Sequence, residues 1–326
     1  MAGVDLSTLK ELLGHQDIKS RQVYAGLPSI STRPPARAWR EGIDGKISGR
    51  EKAMINFQPV DVCGKTIDHV WFQLLKQVLI YGRPYKKDEG SFAGEEMLEL
   101  DRVSGTIFEP LQYNESGIRK PLAVTVPGGV DAPTTDEYIE KYFVEYLMDS
   151  NLPPTEHYRY STFITGGRYA LPKLDFLIPD RPSWYSLDEV IVKVPNQIKW
   201  CIDHYKTKGF HNNHCLIQLG YPESNLAYDK PFEDETERGT SPCLRLIDTK
   251  IVKDSDGEFY LCFYVTFRSW NLWGGWPTNI GGLALLMEYM AHELEVNPGP
   301  LSFNSKAMNI YKFQLTSLMN RVGTVE

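Results

Sequence analysis

The chain has 326 residues, of which 42% are hydrophobic and 24% charged, enough apolar material for a full core without disulfides or metal. A formal net charge of −7 argues against a nucleic-acid-binding protein, since binding to phosphates requires a basic surface. The apolar runs are too short to cross a membrane, and the N-terminal residues lack a secretory signal pattern. Five cysteines without a Cys-x-x-Cys pair predict a reducing, cytoplasmic location and argue against a disulfide framework or a zinc ribbon.

Turn residues and hydrophobic spacing predict the elements of the first half of the chain. Residues 6–13 predict a short helix, and residues 28–40 predict an arm in which prolines disfavour regular structure. A helix is predicted over residues 66–79, where apolar residues recur at helical spacing and Gly82 follows. Residues 97–107 are predicted to form one strand.

The second half is more regular. Its predicted elements are helices over 134–148, 194–205 and 280–293, a strand over 214–219 and a polar surface loop over 225–240. In the first of these helices Thr134 or Thr135 can cap the N-terminus, with Glu137 available to a capping box. The face predicted to be buried contains Tyr138, Ile139, Tyr142, Phe143, Tyr146 and Leu147.

Residues 242–253 and 258–269 alternate in polarity on either side of an Asp-Ser-Asp-Gly turn, which predicts a long β-hairpin. If the turn is centred between Ser255 and Asp256, Cys243 lies directly across from Arg268. A neighbouring cation favours the thiolate form of cysteine, which is the nucleophile. The hairpin alone favours the alternative, a buried structural cysteine.

Residues 134–319 resemble the thymidylate synthase family, most clearly over residues 241–294, and are most similar to its archaeal branch and the related pyrimidine nucleotide hydroxymethylases. The matching features, in order, are Pro242-Cys243, Arg268-Ser269, a Gly275-x-Pro277-x-Asn279 that opens a helix, and Asn309-x-Tyr311 in place of a His-x-Tyr. The resemblance implies an α/β (α+β) fold, in which helices pack on a mixed sheet that carries the long hairpin. It also implies a homodimer joined through its sheets. Residues 1–130 are then an N-terminal elaboration that can close over the site, and residues 131–326 are the catalytic core.

The resemblance assigns a role to each matched residue. Cys243 is the nucleophile that adds to C6 of a pyrimidine, and Arg268 holds the phosphate and keeps the thiol ionised. Ser269 adds a hydrogen bond to the phosphate or the backbone. Asn279 reads the N3 and C4 edge of the base and favours uracil, since an amide can both donate to O4 and accept from N3–H. Asn309 and Tyr311 lie where the family contacts the sugar.

The folate site departs from the family pattern. The aspartate that holds the pterin is Asn271 here, which cannot supply a carboxylate, while Gly275 retains close backbone access to a ligand. Leu244 replaces a histidine after the catalytic cysteine, and Phe267 stands where bacterial members have glutamine. Trp270 and its neighbours Trp273 and Trp276 could stack on a pterin or pack in the core.

The phosphate contacts depart further. Asn213 and His214 occupy the place of an arginine pair that the family donates across its dimer. Possible substitutes are Arg33, Arg37, Arg40 and Arg168. A substrate without a simple monophosphate, such as a nucleoside, is the alternative. His211, His214 and Cys215 lack a second ligand cluster, so no metal site is predicted.

These features predict folate-dependent transfer of a hydroxymethyl or methyl group to C5 of a pyrimidine nucleotide, with 5,10-methylenetetrahydrofolate as co-substrate. Hydroxymethylation is favoured because the phosphate, sugar and pterin contacts have all changed. The general base is left open among Glu137, Glu140 and Glu145. The alternative is a family member that binds a pyrimidine ligand or a partner without folate chemistry. Neither nucleic acid nor a membrane is an expected partner.

Overall fold

The computed structural model describes residues 57–88, 92–151, 153, 159–166, 168–170, 191–220 and 242–323. The predictions for residues 6–13, 28–40 and 225–240 lie outside these ranges. Two compact units are distinguished, and the larger one contains residues 58–112 and 120–326. In the described part of the smaller unit, residues 57 and 113–119, an isolated antiparallel bridge joins Tyr113 to Arg119.

The helices of the described chain vary from four to 19 residues in length. They are α1 (Ile67–Tyr81), α2 (Asp136–Tyr142), α3 (Ser161–Ile164), α4 (Gln197–Lys208), α5 (Gly275–Glu293) and α6 (Leu315–Val322), with a π-helical segment (Phe143–Met148) directly after α2 and a 3₁₀ turn (Lys312–Gln314) before α6. Among the described helices none is long and apolar enough to span a membrane.

The strands of the described residues form three sheets. They are β1 (Pro59–Gly64), β2 (Arg83–Lys86), β3 (Glu96–Leu100), β4 (Arg102–Ile107), β5 (Arg168–Ala170), β6 (Ile191–Lys193), β7 (Leu216–Gln218), β8 (Leu244–Lys253), β9 (Phe259–Phe267), β10 (Trp270–Asn271), β11 (Asn297–Ser305) and β12 (Met308–Tyr311). The largest sheet has the order β1-β4-β11-β9-β8-β7, the second has the order β10-β12-β3-β2, and β5 pairs with β6. Parallel and antiparallel pairs both occur in the largest sheet, so the predicted α/β fold with a mixed sheet is confirmed.

The predicted strand over residues 97–107 is two strands in different sheets. β3 pairs with β2 and β12, whereas β4 pairs with β1 and β11. The break lies at Asp101, after which β4 buries every second residue, namely Val103, Gly105 and Ile107. Strands β1 and β4 thus belong to the same large sheet as the hairpin, and the functional division at residue 130 stays a prediction.

The helix predictions are confirmed with shifted boundaries. Thr66 caps α1 by accepting a hydrogen bond from the backbone of His69, and Gly82 follows its last turn. Thr135, rather than Thr134, caps α2 by accepting from the backbone of Tyr138. The predicted helix over 134–148 ends its α-helical part at Tyr142 and continues as the π-helical segment.

The predicted turn of the long hairpin is displaced by half a residue. Strands β8 and β9 pair so that Lys253 faces Phe259 and Ile247 faces Val265, which centres the turn on Asp256. Asp254 closes this turn by accepting hydrogen bonds from the backbones of Asp256 and Glu258. A β-bulge between Leu244 and Leu246 then shifts the pairing by one residue at the open end of the hairpin.

Helix α5 lies at the centre of the core and packs unusually close to α2. A Cβ atom on Gly282 would lie 2.4 Å from the ring of Tyr142, and one on Gly281 would lie 2.8 Å from the side chain of Ile139. Real Cβ atoms do not approach other atoms this closely, so the two glycines permit the contact. This contact places the tyrosines of α2 beside the N-terminal end of α5.

Candidate active site

The bulge in β8 sets Cys243 opposite Arg268. With the bulge, Leu244 pairs with Phe267, and the backbone amide of Arg268 donates to the carbonyl of Cys243 at 2.9 Å. The Arg268 Nε also donates to the carbonyl of Pro242 at 3.3 Å. Both Cys243 and Arg268 are half-buried. The predicted juxtaposition is therefore present, although most of the hairpin has a different register from the one that predicted it.

A tyrosine contacts the residue that follows the cysteine. The backbone amide of Leu244 donates to the hydroxyl of Tyr160 at 3.3 Å. Tyr160 meets Tyr146 edge-on, with ring centroids 5.4 Å apart, and Tyr146 stacks on Tyr142 at the same centroid distance. Cys243 thus lies between the open end of the hairpin and a row of tyrosine rings.

A cavity of about 760 Å³ opens beside these tyrosines. It is lined by Pro133, Thr134, Thr135, Tyr138, Tyr142, Tyr146, Tyr160, Gly274, Gly275, Thr278 and Asn279. Its volume is in the range of pockets that bind organic ligands of moderate size. Gly275 and Asn279, two of the predicted site residues, therefore face the same space as four tyrosines that the sequence did not single out as site residues.

Asn279 is held by a tryptophan. Its amide oxygen accepts a hydrogen bond of 2.9 Å from the indole Nε1 of Trp270. Trp270 is 3% exposed and stacks on Phe267 with ring centroids 3.6 Å apart. Trp273 and Trp276 are buried as well, which favours core packing over stacking on a ligand for these two residues.

Asn271 uses its amide within the protein. Its Nδ2 donates to Gln314 Oε1 at 2.9 Å, and its Oδ1 accepts from the backbone of Gly274 at 3.1 Å. Gln314 Oε1 in turn accepts from the backbone of Tyr311. These bonds tie the start of α5 to the end of β12, so Asn271 has a structural role in addition to the pterin contact that was predicted for it.

The predicted sugar-binding residues lie together on β12. Tyr311 is 6% exposed, and burial followed by the negative charge of Cys243 raises the pKa of its hydroxyl. Asn309 is 5% exposed, and its Oδ1 is a buried acceptor without a hydrogen-bond partner. A buried acceptor of this kind costs free energy unless a donor, such as a ligand hydroxyl, reaches it.

Carboxylates flank the site on two sides. Glu99 on β3 is opposite Asn309, and burial together with Asp101 raises the pKa of Glu99. Glu145 lies in the π-helical segment, where the buried Arg159 approaches its carboxylate at 3.9 Å and donates to its backbone carbonyl. Glu99 could not be selected from the sequence, because its proximity to β12 comes from the pairing of distant strands.

The remaining predicted contacts are placed as follows. Ser269 is half-buried in the link between β9 and β10. His214, which was predicted to align with one arginine of the family pair, contacts His204 with 3.3 Å between ring nitrogens. Arg33, Arg37 and Arg40 lie outside the described residues, as does the side chain of Arg168. Among the described residues, no three metal-ligating side chains come together.

Comparison with known proteins identifies the family. No family model matches the chain. A protein of Methanothermobacter thermautotrophicus named "Putative thymidylate synthase" is 31% identical over 246 residues, covering 74% of this chain and 89% of its own. Proteins of the same name from Methanothermobacter marburgensis and Methanosarcina barkeri are 20% identical over 242 residues and 35% identical over 91 residues. These matches cover 74% and 28% of this chain, and 88% and 40% of the relatives. With its hairpin, cavity and cysteine in place, the chain belongs to the thymidylate synthase family.

Proposed function

We propose that the protein transfers a one-carbon unit from 5,10-methylenetetrahydrofolate to C5 of a pyrimidine nucleotide, with Cys243 as the nucleophile. The observation that carries the proposal is the position of Cys243. A β-bulge and a hydrogen bond from the backbone of Arg268 fix it at the open end of the hairpin, and the next residue bonds to Tyr160, which lines a cavity of about 760 Å³. Bulges next to active sites commonly re-aim a side chain, and here the bulge sets Cys243 opposite Arg268.

The residues divide the chemistry between them. The Cys243 thiolate adds to C6 of the ring, and C5 becomes a carbon nucleophile that attacks the one-carbon unit. Loss of the proton at C5 would expel tetrahydrofolate and leave an exocyclic CH₂ group at C5. Addition of water to that CH₂ group, with expulsion of the thiolate from C6, would then give the hydroxymethyl product and the free cysteine. Arg268 offers its guanidinium to an anionic group of the substrate. Asn309 offers its unpartnered oxygen to a sugar hydroxyl, beside Tyr311.

The cavity fits a folate. Tyr142 and Tyr146 present stacked rings to it, and Tyr138, which is 57% exposed, adds a third ring near its opening. Aromatic faces of this kind suit a flat, extended ligand. Gly275 lines the cavity without a side chain, so a ligand can approach its backbone closely. Methylenetetrahydrofolate would supply the one-carbon unit.

We favour a hydroxymethyl product over a methyl product, and a uracil base. Asn271, which stands in the place of the family's pterin-binding aspartate, is hydrogen-bonded to Gln314 and Gly274. Weaker retention of the folate after the one-carbon transfer gives water access to the intermediate, and attack by water yields the hydroxymethyl group. Asn279 supports uracil, since its amide can donate to a ring carbonyl.

We also propose a homodimer formed through the large sheet. Several apolar side chains of β8 and β9 are partly or largely exposed, namely Leu246, Val252, Tyr260 and Tyr264. Tyr264 is 43% exposed. A second copy packed on this side would cover these apolar groups. Sedimentation equilibrium with Tyr264→Lys tests this, since a charge in the interface should dissociate the dimer.

Product mass tests the enzymatic proposal. The protein is incubated with methylenetetrahydrofolate and the uracil and cytosine ribo- and deoxyribonucleotides and their nucleosides. We expect a mass gain of one hydroxymethyl group on a uracil nucleotide, which Cys243→Ala abolishes. A methyl gain would correct the product but keep the reaction class. No gain on any substrate would overturn the proposal.

A second function, binding of a pyrimidine ligand without folate chemistry, is favoured by one observation: both amide atoms of Asn271 are already used within the protein. Isothermal titration distinguishes the two functions. A pure binding protein should bind its nucleotide equally well with and without folate and should retain that affinity in Cys243→Ala. An enzyme should show folate affinity that depends on the bound nucleotide.

A further inference from the structure

We infer that Trp270 is a specificity-determining residue. Its indole N–H orients the amide of Asn279 so that the amide NH₂ is presented to the cavity and selects a ring carbonyl over a ring amino group. This inference rests on the proposed function, in which a pyrimidine ring lies against Asn279. It adds a residue that acts through Asn279 rather than by touching the substrate.

The hydrogen bond between the two residues determines the amide orientation. An indole N–H donates and cannot accept, so the group of Asn279 that faces it at 2.9 Å must be the amide oxygen. The NH₂ group is then directed away from the indole, on a residue that lines the cavity. The Asn279 oxygen keeps a second lone pair, which can accept from a ring N–H.

Trp270 is itself firmly held. Its ring lies parallel to Phe267, with a 10° interplanar angle, and meets Phe303 edge-on with centroids 6.0 Å apart. Its backbone amide donates to the carbonyl of Ala307 at 2.9 Å. An indole with 3% exposure and contacts on its face and edge has little freedom to follow a rotated amide.

The consequence is a preference between uracil and cytosine. Uracil presents a carbonyl at C4 and N–H at N3, which match the donor and acceptor of Asn279 in its fixed orientation. Cytosine presents an amino group at C4 and a bare N3, so it requires the amide to rotate by 180°. The rotated amide would direct N–H toward the indole N–H, and the buried donor of Trp270 would lose its partner.

The test compares two tryptophan variants. Trp270→Phe removes the N–H and keeps an aromatic ring against Phe267. Trp276→Phe is the matched control, since Trp276 is buried in the same aromatic cluster but its Nε1 has no hydrogen-bond partner. Isothermal titration measures the affinity of each variant for dUMP and for dCMP, and thermal unfolding checks that both are folded. We expect the dUMP preference to fall about 3- to 10-fold in Trp270→Phe and to stay unchanged in Trp276→Phe.

A carboxylate at position 279 separates orientation from simple packing. In Asn279→Asp the two carboxylate oxygens are equivalent acceptors, so a 180° rotation of the carboxylate leaves its hydrogen bonding to Trp270 and to the base unchanged. Adding Trp270→Phe to Asn279→Asp should therefore leave the ratio of dUMP to dCMP affinity unchanged, although it lowers this ratio in the Asn279 background. A purely structural role for Trp270 would change the ratio equally in both backgrounds or in neither.

The possible results distinguish failure of the inference from failure of the proposed function. If wild-type protein binds neither nucleotide, the proposed function fails and the inference fails with it. If it prefers dUMP and Trp270→Phe retains that preference, the inference is overturned while the proposed function stands. The inference is supported if Trp270→Phe lowers the dUMP preference of the wild-type protein but not the ratio of dUMP to dCMP affinity of Asn279→Asp.

Discussion

The two walls of the cavity are built in different ways. The wall at the start of α5 is rigid, because Asn279 is bonded to a buried tryptophan and Gly274 to Asn271. The opposite wall consists of tyrosine rings from α2 and the π-helical segment, and Tyr138 is 57% exposed. Fixed hydrogen-bonding groups suit recognition of particular atoms, whereas partly exposed rings suit contact with a broad flat surface.

Cys243 lies at the open end of the hairpin, one residue away from a contact with the tyrosine wall. Its carbonyl accepts from the backbone of Arg268, and the amide of the next residue donates to Tyr160. If Cys243 is the nucleophile, its removal should have the largest effect of any single change. Cys243→Ala should lower the rate of product formation by about 10³-fold or more, since the covalent step is lost. Mass analysis of the nucleotide product measures this.

The control for that variant is Cys262→Ala. Cys262 is a buried thiol on the neighbouring strand β9, and burial raises its pKa to about 11. Such a thiol stays protonated near neutral pH and is a poor nucleophile. Cys262→Ala should keep the product while lowering stability modestly. Equal loss of product in both variants would show that the cysteines contribute only to folding.

The rigid wall could be predicted from the sequence, because its residues are close along the chain. The hairpin and the Gly-x-Pro-x-Asn segment place Cys243, Arg268 and Asn279 within a short stretch whose pairing is local. Even so, the turn prediction was wrong by half a residue, and the bulge at Leu244–Leu246 compensates for it at the open end. A bulge has no reliable sequence signal, since it depends on what the strand end must contact.

The tyrosine wall could not be predicted, since one helical face contains two rows of apolar side chains, of which one is buried in the core and the other lines the cavity. Ile139, Phe143 and Leu147 are fully buried, while the tyrosines one position earlier in each turn line the cavity. Both rows have the spacing of a core face. The phenol hydroxyl is the available signal, because it requires a polar partner and so favours the edge of a core.

The contact between the walls can be disrupted at Gly282. A methyl group there would lie 2.4 Å from the ring of Tyr142, so Gly282→Ala must push the tyrosine wall away from α5. We expect a loss of about 1–3 kcal/mol in the free energy of unfolding. Urea denaturation measures it. Gly128→Ala is the control, since an added Cβ there meets nothing within 4 Å. A Gly282→Ala protein as stable as Gly128→Ala would contradict the close contact.

The tyrosine wall itself is tested by Tyr138→Ala. Loss of one ring that packs on a flat ligand should weaken folate binding about 3- to 10-fold and leave nucleotide affinity unchanged. Isothermal titration with methylenetetrahydrofolate in the presence of nucleotide measures both affinities. Tyr85→Ala is the control, because Tyr85 is similarly exposed and does not line this cavity. An equal effect in the two variants would remove the functional distinction between the walls.

The smallest expected effect concerns Glu99, which extends the rigid wall toward β12. Burial and the nearby Asp101 raise the pKa of its carboxyl above the ordinary value, so protonation of Glu99 is more favourable in the folded chain than in the unfolded chain. A group with a raised folded-state pKa contributes stability at low pH, and that contribution is lost as the pH rises through the folded-state pKa. Glutamine imitates the protonated form at every pH.

Glu99→Gln should therefore match the wild-type free energy of unfolding near pH 4 and exceed it by a few tenths of a kcal/mol, about the size of a partly exposed charge effect, near pH 7. Urea denaturation at both pH values measures the difference. Glu96→Gln is the control with the opposite sign, because its hydrogen bond to Lys312 lowers the pKa of Glu96. If Glu99→Gln were less stable than wild type near neutral pH, Glu99 would be held as a carboxylate by the cations around it, and the rigid wall would carry a permanent negative charge beside Tyr311.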